Sequence, residues 1–143
     1  MRPVSVTAAG VAVLVLAACG HGGPNRTVPL PGGASANTAD LTRAVASLCG
    51  AVDQAQHDPT GAGSAFYLRS HTELHTLASA LGLSQRARSA RLLQDMYAVE
   101  QDIAAHPPHP GLATDLATLT TQTGGDLTAL GLTAPSCTAR TQP

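Results

Sequence analysis

The stretch LTRAVASLCGAVDQA, residues 41–55, decides the fold. Its apolar side chains recur at intervals of four and three residues, as Leu41, Val45, Leu48, Val52 and Ala55. This spacing places them on one side of an α-helix. Asn37 is a suitable N-cap for that helix, and Asp40 lies in the first turn, where the helix dipole favours a carboxylate. The pattern therefore predicts an amphipathic helix with one face that must pack against other elements.

Two further helices are predicted in the middle of the chain. Ser64 is expected to open the second helix, which runs to about Leu81 and ends at Gly82, after a break at residues 57–63. Ser84 is expected to cap the third helix, which ends before the Pro-rich stretch 106–111. One face of this third helix carries the apolar residues Leu92, Leu93, Met96, Val99 and Ile103.

A fourth helix completes the predicted domain. It starts near Pro110, has Gly131 as its C-cap and carries the leucines Leu112, Leu116, Leu119, Leu127 and Leu130. Four amphipathic helices with short breaks favour an all-α fold, an up-down-up-down four-helix bundle. We expect the bundle to occupy residues 37–138, with a short C-terminal tail at 139–143.

The composition supports helices and excludes some partners. Hydrophobic residues make up 43% of the chain, but aromatic residues make up only 2%. A core of Leu, Val and Ala suits closely packed helices better than a β-sandwich, which favours aromatic and β-branched pairs. The net charge is −1, and no basic patch indicates a nucleic-acid partner.

The N-terminus has the pattern of an export signal. Arg2 precedes an apolar run from Val4 to Ala18, which is too short to span a membrane. Residues 16–19, Leu-Ala-Ala-Cys, resemble the lipobox of bacterial lipoproteins. The resemblance implies that residues 1–18 are a signal peptide, that cleavage precedes Cys19, and that acyl chains on Cys19 hold the protein at the outer face of the membrane. The alternative is an ordinary signal peptide followed by a chance cysteine.

The next segment, residues 19–36, is rich in Gly and Pro and shows no apolar period. It is expected to be a flexible tether between the lipidated cysteine and the bundle. Cys49 and Cys137 remain as an even pair in an oxidising compartment, which favours a disulfide across 88 residues. The alternative for these two cysteines is a pair of thiolate metal ligands.

The segment FYLRSHTELHTL, residues 66–77, carries the strongest signal for chemistry. His71 and His75 are four residues apart, so they share a helix face and can hold a metal. The zincin motif HExxH is absent, because Thr72 stands where that motif needs Glu. On the third helix, Glu100 lies about 40° from Met96 and therefore within the apolar stripe. A carboxylate in that position is costly unless it is paired.

The partner of Glu100 follows from antiparallel packing of the second and third helices. Residues equally distant from the connecting loop face each other, which places Glu100 level with Tyr67 and about one turn from His71. We therefore predict a polar cluster of Tyr67, His71 and Glu100, with His75 at its rim. This cluster is either a zinc or copper site or a structural pair in which His71 or Arg43 binds Glu100.

The remaining histidines and hydroxyls give little signal. His57, His106 and His109 lie in predicted loops and are either a second metal patch or solvated side chains. No GxSxG, SxxK, P-loop or GxGxxG motif occurs, so catalysis is not expected. The sequence predicts a non-catalytic binding or interaction module held in the membrane through Cys19, with an envelope protein or a metal ion as partner. The alternative is a zinc- or copper-binding lipoprotein that uses His71, His75 and Glu100; no other cofactor is predicted.

Overall fold

A computed structural model describes residues 26–137 of the chain. The predicted signal peptide, the Cys19 anchor and the tail at 139–143 lie outside the described residues. Most of the described chain is helical, which confirms the all-α class. The helices are α1 (Thr38–Ala55), α2 (Pro59–Phe66), α3 (Thr72–Gly82), α4 (Arg86–Ala104) and α5 (Leu112–Ala129), with a π-helical turn (Tyr67–His71) between α2 and α3. None of the described helices is long and apolar enough to cross a membrane.

The core lies between α1, α3, α4 and α5 and consists mainly of leucine. Helix α1 packs against α2 and α5, and α4 packs against α3 and α5. The largest fully buried side chains are Phe66, Leu41, Leu48, Leu74, Leu77, Leu81, Leu92, Met96, Leu112, Leu116, Leu119 and Leu127. Phe66 is the only aromatic residue among them. Leu93, predicted on the buried face of α4, is instead 41% exposed.

The π-helical turn explains how one helical rod keeps a single face in the core from α2 to α3. The residues Ala62, Phe66, Ser70 and Leu74 are all buried, at a constant spacing of four. In a regular α-helix, twelve residues turn about 1200°, which overshoots three full turns by about 120°. A π turn adds one residue to the helix and absorbs about 100° of that overshoot. The buried face therefore continues without a break in the rod.

The second helix begins earlier than its predicted start at Ser64. Asp58 is the N-cap, and its carboxylate accepts a hydrogen bond of 2.9 Å from the Gly61 N–H. Pro59 is the first residue of the helix, where its missing N–H leaves no hydrogen bond unmade. The Asp-Pro pair is thus a helix start, whereas the sequence analysis interpreted residues 57–63 as a break. Ser84 likewise does not cap α4, since Gln85 holds the N-cap position.

The segment before α1 differs from the predicted flexible tether. Strands β1 (Thr27–Pro29) and β2 (Ser35–Asn37) pair antiparallel, with Val28 opposite Ala36. Both of these side chains are buried against the helical core. The turn between the strands places Gly32 and Gly33 at positive φ, which glycine adopts without a steric penalty. The hairpin is held by packing on the helices, because two short strands alone are marginally stable in water.

The C-terminal segment returns to α1 through a defined helix end. Gly131 has φ +72°, and the N–H groups of Gly131 and Leu132 donate to the carbonyls of Thr128 and Leu127. This is the hydrogen-bond pattern of a Schellman motif. The chain then runs to Cys137, which is disulfide-bonded to Cys49 of α1 with a Cα–Cα separation of 5.4 Å.

Removal of the disulfide is expected to destabilise the fold. Cys49→Ser or Cys137→Ser should lower the free energy of unfolding by about 2–5 kcal/mol, because the unfolded chain regains the entropy of an open 88-residue loop. Denaturant titration monitored by circular dichroism measures this loss. The double variant should lose about the same amount as either single variant, since only one bond is removed. Free thiols at both positions in the exported protein would contradict the pairing.

Candidate metal centre

Two neighbouring helices bring a histidine pair and a carboxylate together. His71 is the last residue of the π turn, His75 lies one turn further on α3, and Glu100 lies on α4. The His71 Nε2 atom is 2.9 Å from Glu100 Oε1, a hydrogen bond between the two rods. The side chains of His71 and Glu100 are 27% and 29% exposed, and His75 is exposed. The cluster therefore opens to solvent on one side.

The His71 ring is held by aromatic neighbours. Its centroid lies 4.7 Å from that of His75, 5.1 Å from that of Tyr67 and 5.6 Å from that of Phe66. The contacts with His75 and Phe66 are edge-to-face, which is a favourable geometry for such rings. Phe66 is fully buried, so it anchors this group of rings to the core. The orientation of His71 is thus fixed by packing as well as by Glu100.

The three donors lie close enough for one ion. One nitrogen of His71, one nitrogen of His75 and a carboxylate oxygen of Glu100 all lie within 4.8 Å of one another. Ligand atoms about 2.1 Å from a tetrahedral zinc are about 3.4 Å apart. Small side-chain rotations that move the donor atoms by about an ångström would therefore bring them to the spacing of zinc ligands. We call His71, His75 and Glu100 the metal triad.

Tyr67 and Arg43 were the other residues considered as partners within this cluster. Tyr67 lies beside His71 and meets it through its ring, and among the described residues its hydroxyl makes no hydrogen bond to Glu100. Burial raises the pKa of the Tyr67 phenol, and the negative charge of Glu100 raises it further. Arg43 pairs with Asp40 on α1 at 2.7 Å. The partner of Glu100 is therefore His71.

The loop histidines do not form a second centre. His57, His106 and His109 are all exposed. His109 Nδ1 accepts a hydrogen bond of 3.1 Å from the Gly111 N–H and lies 3.3 Å from Asp102 Oδ1. Within residues 26–137, no group of three histidine, cysteine or carboxylate side chains other than the metal triad brings its donor atoms this close.

The sequence analysis missed two carboxylates, of which Asp126 is buried and Asp102 is partly buried. Asp126 of α5 is fully buried, and it accepts hydrogen bonds from Gln122 Nε2 at 3.0 Å and Arg88 at 3.2 Å. Burial raises the pKa of Asp126, and the bonds from Arg88 and Gln122 act against that rise. Arg88 lies on α4, so this ion pair ties α4 to α5. The spacing of Gln122 and Asp126, four residues apart on one helix, was the only local signal.

Asp102 is the less satisfied of the two carboxylates. Burial raises its pKa, and the negative charge of Asp115 on the first turn of α5 raises it further. Its Oδ2 atom is the one buried side-chain polar atom in the described part of the chain that lacks a hydrogen-bond partner. Asp102 is thus a source of instability near the end of the bundle that holds the loop histidines.

Comparisons with known proteins give no information about this site. No family model, no curated protein and no solved structure matches this chain.

Replacement of Asp102 is expected to stabilise the fold in a pH-dependent way. The pKa of Asp102 is higher in the folded than in the unfolded chain. The folded state therefore loses stability as the pH rises from the unfolded-state pKa through the folded-state pKa. Asp102→Asn should therefore raise Tm by a few degrees at neutral pH, and the gain should shrink in acid, where the wild-type carboxyl is protonated. Thermal melts at several pH values measure both effects. Asp53→Asn, at an exposed position, is the control and should show no such gain.

Proposed function

We propose that this protein is a lipid-anchored, non-catalytic module that binds a zinc or copper ion through His71, His75 and Glu100. The observation that carries the proposal is the convergence of the metal triad, whose donor atoms lie within 4.8 Å of one another. The two histidines and Glu100 come from different helical rods, and His71 and Glu100 are 29 positions apart in the sequence. Their meeting depends on the fold and does not follow from neighbouring positions in the chain.

The chemistry of the donors favours zinc or copper over harder ions. Imidazole nitrogens suit zinc and copper, whereas calcium and magnesium favour shells made of oxygen atoms. A carboxylate as third donor offsets part of the charge of the ion. Phe66, Tyr67 and the core beneath them restrict the rings of the triad, so the ion would meet a partly organised site. Binding and release without catalysis is the role proposed, since no nucleophile with an adjacent base is predicted from the sequence.

The arrangement of helices supports this site. We count α2, the π turn and α3 as one continuous rod, beside α1, α4 and α5. We infer that these four rods alternate in direction, as an up-down-up-down bundle. The connection between α3 and α4 spans only residues 83–85, which favours antiparallel neighbours. The hydrogen bond between His71 and Glu100 is consistent with that register.

The proposed anchor would keep the domain near the outer face of the membrane. Cys19, if lipidated as its lipobox resemblance implies, is only seven residues before Arg26, where the described domain begins. Seven residues span at most about 25 Å. The N-terminal hairpin thus shortens the predicted tether, and the domain stays close to the headgroups.

Metal addition is expected to stabilise the folded protein. With zinc or copper at about 100 times Kd, the stabilisation is about 2.7 kcal/mol, which raises Tm by about 10 °C. His71→Ala should abolish the rise, and Glu100→Gln should weaken it. His57→Ala, which removes an exposed loop histidine, is the matched control and should keep the full response. Thermal melts with and without a chelator measure these differences.

The structural alternative gives a different result. If the His71–Glu100 pair serves only to hold α3 against α4, neither ion changes the Tm of the wild-type protein. That outcome would refute the metal proposal, even if His71→Ala itself lowers Tm.

Loss of the lipid anchor is expected on substitution of Cys19. Cys19→Ser should prevent incorporation of labelled fatty acid and leave the protein either uncleaved or released from the membrane, because the described domain has no spanning helix. Metabolic labelling and membrane fractionation measure this. Labelling of the variant at the wild-type level would contradict the lipobox assignment.

A further inference from the structure

We propose that a zinc ion in the metal triad joins two copies of this chain, face to face, along the seam between α3 and α4. The inference rests on the proposed function and names the partner of the same site. In this arrangement the ion lies on the two-fold axis, and two donors from each triad, His75 among them, form its coordination shell.

The donor count of the triad leaves room for such a partner. The triad of one copy has three donors and cannot close a four-ligand zinc site alone, whereas two donors from each of two copies can. His75 is the exposed member of the triad, while His71 and Glu100 are half-buried. The vacant position of the ion would thus face outward beside His75, where a second protein surface can approach it.

The large exposed apolar side chains of the described residues come from the segment of the chain that carries the triad. In the described part of the chain, the large exposed hydrophobic residues are Tyr67, Leu68, Leu83, Leu93 and Tyr97. All of them lie between the π turn and α4, and α1 and α5 contribute none. Leu68 is 84% exposed and Tyr97 is 60% exposed. Exposed apolar surface concentrated on one side is typical of an interaction site, and tyrosine is enriched in interfaces.

Helix geometry puts part of this surface next to the triad. Leu93, Tyr97 and Glu100 are spaced by four and three residues, so they lie on the same side of α4. The hydrogen bond between His71 Nε2 and Glu100 Oε1 shows that this side of α4 faces the edge of the neighbouring helical segment that carries His71 and His75. We call His75, Leu93 and Tyr97, together with the metal triad's open side, the seam surface.

The charge of the seam surface favours a second copy over a charged partner. In a two-fold symmetric interface each surface meets itself, so any fixed charge near the axis faces a like charge. The exposed residues along this edge are Thr72, His75 and Ser79 on the α3 side and Leu93 and Tyr97 on the α4 side. None of these carries a permanent charge, and the carboxylate of Glu100, which belongs to the seam surface, would be compensated by the shared ion. The surface is therefore self-compatible, and a zinc ion adds an attraction that both copies share.

Sedimentation velocity of the full chain in detergent, with and without zinc, tests the inference. We expect zinc to convert single chains into pairs, and a chelator to reverse the change. Tyr97→Arg keeps the triad but brings two positive charges together across the axis, so it should bind zinc and remain a single chain. Thr118→Arg adds the same charge to an exposed position on α5 and should pair like the wild type. His75→Ala should not pair.

The outcomes separate this inference from the proposed function. Zinc binding by a chain that stays single overturns the pairing and leaves the metal function standing. Pairs that form without zinc and resist the chelator overturn the role of the ion, and pairing of Tyr97→Arg overturns the assignment of the surface. Absence of zinc binding overturns the pairing, and absence of both zinc and copper binding overturns the proposed function as well.

Discussion

Burial of Ala62, Phe66, Ser70 and Leu74 at a constant spacing of four residues is the constraint on which the candidate site depends. A regular α-helix would rotate these positions progressively out of the core, and the π turn at Tyr67–His71 corrects the rotation. The buried Ser70 hydroxyl, which lies within this turn, donates a 2.8 Å hydrogen bond to the Ala44 carbonyl of α1. That bond holds the turn against the first helix.

The same turn determines which side chains meet at the seam between α3 and α4. Phe66 points into the core just before the turn, and His71 closes the turn with its ring against Phe66. The His71 ring then lies within reach of both His75 and Glu100. π turns inserted in α-helices occur frequently at functional sites, and here the turn supplies one of the three candidate ligands. A packing requirement of the core and the geometry of the site therefore have a common origin.

The carboxylates in or beside the leucine-rich core differ in how far hydrogen bonds compensate their burial. Asp126 is fully buried but receives hydrogen bonds from Gln122 and Arg88, so its burial is compensated. Asp102 has a buried oxygen without a partner and lies near another carboxylate, Asp115. Glu100 lies between these extremes, half-buried with a single histidine partner. A bound cation would compensate Glu100 more fully than His71 alone.

Residue spacing in the sequence determined the helices and the leucine core, and the cysteine count, with Cys19 assigned to the lipid anchor, predicted the pairing of Cys49 with Cys137. These features follow from residue spacing and from the small number of cysteines, which do not require knowledge of distant contacts. The sequence also placed Glu100 near His71, because antiparallel helices joined by a short loop have a nearly fixed register. The Asp58 cap at the start of α2 carried a recognisable signal, but the glycines that follow obscured it.

Only the tertiary structure decided the hairpin, the π turn and the convergence of the metal triad. Val28 and Ala36 are two apolar residues in a Gly- and Pro-rich segment, and they gain a strand conformation only by packing on the helices. The π turn depends on which face of the rod the other helices cover, and the distance from His75 to Glu100 depends on how closely α3 and α4 pack. Periodicity reports the face on which a residue lies; it does not report how far that face is from another helix, because that distance is set by the side chains packed between them.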